Sequence, residues 1–238
     1  MPHKKVINRK STDLPRPPSS YLKHRTLTES VRHALSQWLA DGELVPGQKL
    51  TGKALSEQLD VSQTPVREAM LQLVAERALD LNPNRSVTVP VLDREKFVEL
   101  RDMRVALESL AVRCAIERYQ GKGIPAAAID AIMKLHEDMA SAKSQKDYSS
   151  TLRLNRQIHF SAYELSGRED LIAMIRSLWT RTGPYLNFLY ENTHPGIDDN
   201  HPHTLLIDAF QRSDVQQAIK AIEEDILVGG KAILDCFS

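Results

Sequence analysis

The sequence predicts a mainly α-helical protein, with an N-terminal helical domain that ends in a small β-hairpin and a C-terminal all-α bundle. Three observations indicate this. The chain has 238 residues, more than the roughly 100 to 200 of a usual single domain. Apolar residues recur at helical spacing along most of the chain. Strand-like alternation is evident only around Asn82-Pro83-Asn84, which follows three predicted helices.

Residues 1–24 are rich in Lys, Arg, Pro and Ser and contain few apolar residues. Such a segment cannot bury a core, so we expect a flexible arm. A solvated tail is the simpler interpretation. An arm that contacts the phosphates of a nucleic acid is the alternative.

The first helix is predicted over "TLTESVRHALSQWLADG". Thr26 and Glu29 have the spacing of a capping box, apolar residues recur on one face, and Gly42 is a typical helix end. A turn at Pro46-Gly47 then leads to a short second helix, "KALSEQLD".

The third helix begins within "VSQTPVREAM", residues 61–70. Ser62 or Thr64 can cap it, Pro65 is tolerated in its first turn, and apolar spacing continues to about Arg77. The hairpin follows. Three helices and a hairpin in this order predict a winged helix-turn-helix with a small β-hairpin wing over residues 25–91.

The start of this third helix combines short polar and cationic side chains: Ser62, Gln63, Thr64 and Arg67. A helix that enters the major groove of DNA presents such groups from its first turns, for hydrogen bonds to base edges and phosphates. Each residue alone is more often a cap or a solvated surface group. Their occurrence together, between a short helix and a hairpin, favours DNA binding.

Residues 92–238 show helical spacing almost throughout and are predicted to form an all-helical domain of six helices. Asp147 and Ser213 are predicted N-caps, and Pro184 is expected to kink its helix.

Charge and composition set limits on the partners. Residues 1–91 hold 13 Lys+Arg and 9 Asp+Glu, and residues 92–238 hold 18 and 22. The first half is therefore compatible with a polyanionic partner without demonstrating one. The two distant cysteines indicate neither a disulfide framework nor a zinc-binding pair. With no signal peptide and no apolar run of about 18 residues, we expect a cytoplasmic protein with no membrane partner.

The helical half contains a possible metal site. Asn155 and His159 are four residues apart, so they lie on one face of a helix, while His203 begins a later helix and Asp225 lies in the last one. Imidazole and carboxylate groups suit a zinc-like or nickel-like divalent ion, provided that the fold brings them together. From spacing alone, a hydrogen-bonded core histidine and a surface aspartate remain the alternative. His136, His194 and His201 are weaker candidates for metal ligands.

The segment "GELVPGQKLTGKALSEQLDVSQTPVREAMLQLVAERAL" resembles the winged-helix domain of the GntR family of bacterial transcription regulators. The resemblance implies a DNA-binding regulator in which Lys53 contacts phosphate and Arg67 is the recognition arginine. Gln63 stands where arginine is commonest in the family. Arg85 lies beside Ser86, which replaces the usual glycine of the wing.

The second half resembles the FCD effector domain of the FadR branch of that family, through "ELRDMRVALE", "NRQIHFSAYELSG" and "HTLLIDAFQRSDVQQAIKAIEEDI". The resemblance implies metal ligands at Asn155, His159, His203 and Asp225. It also implies a pocket for a small carboxylate effector, which Arg101 or Arg104 could neutralise, with Arg104 preferred.

Together these features predict a homodimeric regulator, more often a repressor than an activator, that binds a short inverted repeat in double-stranded DNA and is not an enzyme. One alternative makes the helical half a metal-dependent hydrolase, with water activated by Glu164 or another carboxylate. The sequence lacks a second acid or base at motif-grade spacing to support it. A ligand-free interaction module is a third possibility.

Overall fold

A computed structural model describes residues 19–189 and 201–237. Most of the predicted arm over 1–24 therefore lies outside the described residues, as does His194. The described protein is mainly α-helical, with one small antiparallel sheet. None of its described helices has the length and apolar character needed to cross a lipid bilayer.

The N-terminal domain has the predicted order of three helices and a hairpin. Its core includes four fully buried side chains, those of Leu35, Leu39, Val66 and Leu73. The sheet has the order β1-β3-β2, with β3 in the centre and both pairings antiparallel. The elements are α1 (Ser19–Ala40), β1 (Lys49–Leu50), α2 (Gly52–Leu59), α3 (Gln63–Ala75), β2 (Asp80–Leu81) and β3 (Val87–Thr88).

Two features of this domain differ from the sequence prediction. The first helix begins at Ser19, well before the predicted start at Thr26, so the end of the predicted arm is helical. The short strand β1 was not predicted, because two residues cannot show alternation. Leu50 of β1 is buried and pairs with Val87, which makes β1 part of the same core.

The C-terminal domain is an all-helical bundle. The long helices α4 and α9 pack along each other, α9 also contacts α8, and α5 packs on α6. Large buried side chains such as Trp179, Tyr163 and Phe210 fill the interior. The helices are α4 (Arg94–Arg118), α5 (Ala126–Ser144), α6 (Tyr148–Glu164), α7 (Glu169–Thr182), α8 (Pro202–Arg212) and α9 (Val215–Leu234).

The helix ends confirm one prediction and correct two. Asp147 caps α6, since its carboxylate accepts from the backbone N–H of Ser150 at 3.0 Å. Ser213 is not an N-cap: it is the C-cap of α8, with a left-handed φ of 55°, and Asp214 is the N-cap of α9. Pro184 does not kink a helix, because α7 has already ended at Thr182 and Pro184 lies in the 3₁₀ turn Gly183–Tyr185.

The two domains pack closely where this 3₁₀ turn meets the end of α1. A side chain at Gly183 would overlap the carbonyl oxygen of Leu39, so the close approach requires glycine. Asn187 donates a hydrogen bond to the carbonyl of Gly42. The Tyr185 hydroxyl accepts from the backbone N–H of Leu92, at the junction between the domains.

Candidate functional site

The start of α3 presents its polar residues to solvent. Ser62, Gln63, Thr64 and Arg67 are all exposed, while Pro65 and the apolar face behind them are buried. Ser62 occupies the N-cap position, but its side chain makes no capping hydrogen bond. Its hydroxyl is therefore not used to end the helix and remains available to another molecule.

The side chain of Arg67 is also held only weakly by the rest of the described protein. Its guanidinium lies 3.5 Å from the side-chain oxygen of Gln63, a long contact on an exposed surface. Lys53, at the start of α2, is likewise exposed, and its ammonium group is 4.0 Å from Glu57. Exposed pairs at such distances contribute little to stability, so both cations can turn to an anionic partner.

Arg85 lies at the tip of the hairpin with a positive φ of 60°. A left-handed backbone is strained for any residue with a Cβ, so arginine is a costly choice at this position. Arg85, Arg67 and Lys49 line one groove between α3 and the hairpin. Sequence reasoning missed Lys49, because its exposure depends on strand β1.

His159, His203 and Asp225 converge from α6, α8 and α9. The Nε2 of His159 lies 3.1 Å from Asp225 Oδ2 and 3.2 Å from His203 Nε2, which is 3.7 Å from Asp225 Oδ1. Ligand atoms around one tetrahedral zinc ion are separated by roughly 3.3 Å. The spacing of these three side chains therefore fits a single transition-metal ion.

Hydrogen bonding fixes the tautomer of His159. The hydroxyl of Tyr163 donates to Glu108 at 2.5 Å, so its oxygen accepts from His159 Nδ1 at 2.8 Å. Burial and Glu108 raise the pKa of Tyr163, which keeps that hydroxyl protonated. With the proton on Nδ1, the Nε2 lone pair faces Asp225. In this tautomer Nε2 is the nitrogen that can bind a metal ion.

The ionisation of the neighbouring groups suits metal binding. Burial lowers the pKa of His203 well below its ordinary value, that of His201 to about 4, and that of His136. These imidazoles are therefore neutral at pH 7, the form that binds metals. Burial acts to raise the pKa of Asp225, but the adjacent imidazoles, His159 first, outweigh it and lower that pKa.

A cavity of about 310 Å³ opens beside this cluster. Asp225 and Asn155 line it on the side of the cluster, and the cationic side chains of Arg104 and Lys143 also line it. Trp179 and aliphatic side chains complete the wall. A small pocket with apolar walls and a few convergent polar groups is typical of a site for a small molecule.

Arg104 is held rigidly in the cavity wall. It donates to Glu108 from Nε at 2.6 Å and from Nη2 at 3.3 Å, and it stacks over Trp179 at 4.3 Å from the ring centroid. Burial acts to lower the pKa of Arg104, but Glu108 raises it, so the guanidinium is charged. A guanidinium has five N–H donors, and within the described structure Glu108 accepts from two of them, so the other three can bind a ligand.

Arg101 has different surroundings from Arg104. Its guanidinium pairs with the adjacent Asp102 at 2.8 Å, and it is not among the described residues that line the cavity. Sequence reasoning did not single out Lys143 or Trp179, although both lie in the wall. It did not single out Glu108 either, although the four-residue spacing of Arg104 and Glu108 on one helix is a signal that could have indicated the pair.

Two family models match the chain. The description "Bacterial regulatory proteins, gntR family" matches residues 27–89, and the FCD domain matches residues 99–227. The chain is 34% identical over 200 residues to the HTH-type transcriptional regulator McbR of Escherichia coli (strain K12), covering 83% of this chain and 88% of that protein. The two models together cover the two domains of the fold.

Two further comparisons agree with this. Over 101 residues the chain is 34% identical to a probable D-xylose utilization operon transcriptional repressor of Paenarthrobacter nicotinovorans, covering 42% of this chain and 45% of that protein. The solved structure of E. coli McbR/YncC superposes with a TM-score of 0.81 at 31% identity, covering 89% of this chain and 99% of that one. Fold and sequence thus point to the same class of protein.

Proposed function

The chain belongs to the GntR family of bacterial regulatory proteins, with an FCD domain behind its GntR domain, and from that premise we propose that it is a repressor released from DNA by a small carboxylate. It is a DNA-binding regulator of transcription and not an enzyme. One observation supports the proposal above all: a cavity lined by cationic side chains and possible metal ligands lies next to the contacts that join the two domains.

The exposed start of α3 is the proposed reading element. Arg67 and Gln63 have the donors that pair with base edges, while Ser62, Thr64 and Lys53 suit phosphate oxygens. Arg85 on the hairpin adds a cation that can contact the phosphate backbone or the minor groove of the adjacent DNA. Because one such helix contacts only a few base pairs, we propose a homodimer that reads a short inverted repeat.

The effector is proposed to be a small carboxylate. Arg104 and Lys143 supply positive charge to a cavity of about 310 Å³, which is room for a metabolite of few atoms. A guanidinium fixed by Glu108 and Trp179 is preorganised, so little side-chain entropy is lost when the ligand binds. Arg101 is not part of this proposal, because it lies outside the cavity lining.

A divalent ion, zinc-like or nickel-like, is proposed to be held by His159, His203 and Asp225, with Asn155 beside them. Two imidazoles and one carboxylate form a borderline-soft donor set, which suits these ions better than magnesium or calcium. When bound, the ion supplies a positive charge with open positions for a carboxylate oxygen. Tyr163 orients His159 for this role through the hydrogen bond to Nδ1.

The cavity wall also contacts the DNA-binding domain. Leu152 lines the cavity and packs against Gly42. Leu186 lines it as well, one residue before Asn187, which bonds the Gly42 carbonyl. A ligand that moves this wall therefore also moves the contacts at the end of α1. A difference of a few kcal/mol in ligand affinity between the DNA-bound and free conformations is enough for regulation.

Repression is proposed because a similar protein is described as a probable transcriptional repressor. The test has two steps. The purified full-length chain is mixed with fragments of its own genome, and retained fragments are sequenced to define the operator. That operator is then titrated with a panel of small carboxylates, with and without prior metal chelation. Release by a carboxylate, abolished by chelation, is the expected result; operator binding that no carboxylate alters contradicts the effector proposal.

A further inference from the structure

The rings of His136, His201 and His203 lie together near the site at His159 and Asp225. The ring centroids of His136 and His201 are 5.5 Å apart, those of His136 and His203 are 5.6 Å apart, and those of His201 and His203 are 4.7 Å apart. One nitrogen from each ring lies within 4.8 Å of the others. Three imidazoles around one tetrahedral zinc ion have centroids roughly 5 Å apart. We propose that His136, His201 and His203 form a second transition-metal site, which shares His203 with the site at His159 and Asp225.

The available nitrogen atoms support two separate sites. His203 directs Nε2 to His159 and Asp225, whereas its Nδ1 is buried and has no hydrogen-bond partner among the described residues. The Nδ1 of His136 is also buried and unpartnered within the described part of the chain. Buried polar atoms nearly always have a partner in native proteins, so two such nitrogens in one cluster are consistent with a bound ion between the rings.

The remaining ring contacts leave these nitrogens free to bind. His201 uses Nδ1 to accept the backbone N–H of His203 at 3.2 Å, so its Nε2 is the atom left for an ion. The hydroxyl of Thr204 lies 3.4 Å from His136 Nε2, on the opposite side of that ring from Nδ1. Second contacts of this kind orient metal-binding imidazoles in known sites.

The donor set defines the ligand class. Imidazole donors without a carboxylate favour zinc, nickel or copper and disfavour magnesium and calcium, which prefer oxygen. With an ion at each site, His203 would bridge the two ions as an imidazolate and would release its ring proton to solvent. His201 also lines the effector cavity. An ion at the second site would therefore lie beside the cavity, on the side of α5 and α8. The inference goes beyond the proposed regulation and does not depend on it.

The test is cobalt(II) binding to the full-length, metal-stripped chain, followed by visible absorption and equilibrium titration. Asp225→Ala removes the carboxylate of the first site and leaves the three imidazoles of the second. We expect Asp225→Ala to bind cobalt, and the added change His136→Gln to weaken that binding by at least about 100-fold. The matched control adds His33→Gln, an exposed histidine of α1, and should leave the affinity unchanged.

Two results would overturn the proposal. One is an Asp225→Ala chain that binds no cobalt. The other is equal affinity in the chains carrying His136→Gln and His33→Gln, which would leave His136 out of the site. Circular dichroism checks folding, and His201→Gln replaces His136→Gln if the latter chain unfolds. Operator binding is measured on every variant, so a failure of the regulatory proposal is seen separately from a failure of this site.

Discussion

Asp41, directly after α1, and Arg156, on α6, form a buried ion pair across the two domains. The Nε of Arg156 donates to Asp41 Oδ1 at 2.5 Å, and Nη2 donates to Oδ2 at 3.2 Å. Both side chains are largely shielded from water: that of Arg156 is 13% exposed and that of Asp41 is 6% exposed. Arg156 is next to Asn155 in the cavity wall, so this pair joins the cavity to the end of the first helix.

Loss of one partner of this pair should destabilise the protein. Arg156→Met leaves the Asp41 carboxylate buried without its partner, which costs roughly 3 kcal/mol in comparable buried pairs. Urea denaturation measures the free energy of unfolding. The expected result is a drop of that order, together with a smaller effect of the carboxylate on operator affinity.

The double change Asp41→Asn and Arg156→Met provides the control for this pair. Because it removes both charges, it should regain a clear part of the stability lost in Arg156→Met. If the double variant is less stable than the single one by the full cost of Asp41→Asn alone, the two side chains act independently and do not form the proposed link.

The hairpin arginine should show a conflict between stability and binding. Arg85→Gly relieves the left-handed backbone at φ 60° and should raise the free energy of unfolding by roughly 0.5 to 1 kcal/mol. It also removes a cation from the groove and should weaken DNA binding, with a shallower salt dependence. Denaturation and salt-dependent DNA titrations measure the two effects. A stabilised variant with unchanged DNA affinity would remove Arg85 from the contacts.

The Arg104–Glu108 pair gives a third prediction. Glu108 is fully buried and also accepts from Tyr163 and from Trp179 Nε1 at 3.0 Å. Arg104→Met leaves this carboxylate buried without its cation and should lower the free energy of unfolding by roughly 3 to 5 kcal/mol. Adding Glu108→Gln, which removes the charge, should recover part of that loss.

The ligand response separates the two roles of Arg104. The double variant should fold and still fail to release the operator with carboxylate, since the cation of the cavity is gone. A double variant that responds normally would show that Arg104 only supports the fold.

The metal site at His159 gives a fourth prediction. His159→Ala removes the imidazole that faces both Asp225 and His203, so stoichiometric metal at that site should be lost, as measured by elemental analysis with cobalt titration. Operator binding without effector should persist, because His159 lies within the helical bundle, away from α3. If the wild-type chain carries no stoichiometric ion after purification and binds none on titration, the metal proposal is wrong.

Local signals allowed much of the fold to be predicted. The turn at Pro46-Gly47 and helical spacing identified the helices of the first domain, because these features act over a few residues. The capping-box spacing of Thr26 and Glu29 gave the wrong start, since both residues lie inside α1. Strand β1 could not be predicted, since its two residues are defined only by pairing with β3. Consequently Lys49 was missed in the basic groove.

The candidate sites were predictable only in part. Helical spacing put Asn155 and His159 on one face of a helix, but it cannot show which residues of α8 and α9 lie opposite. Only the family resemblance linked them to His203 and Asp225. Spacing gave no reason to favour His136 and His201 as ligands, because His136 lies on α5 and His201 is the N-cap of α8, and the two meet only in the folded bundle.

The same limit applies to contacts between domains. Asp41 and Arg156 are separated by 115 residues and carry no pattern in common. Ser213 and Asp214 illustrate the same limit on a local scale. Both residue types can be N-caps, and the left-handed backbone at Ser213 makes Asp214 the N-cap of α9.

The most direct measurement is selection of bound duplexes from a random DNA pool by the full-length chain at physiological salt, with Arg67→Ala in parallel and Arg113→Ala, an exposed arginine of α4, as control. We expect the wild type and Arg113→Ala to enrich one inverted repeat, and Arg67→Ala to bind it more weakly by roughly 1 to 3 kcal/mol with relaxed sequence preference. Equal affinity of the wild type for every duplex, or an identical enriched repeat at unchanged affinity with Arg67→Ala, would contradict base recognition by the start of α3.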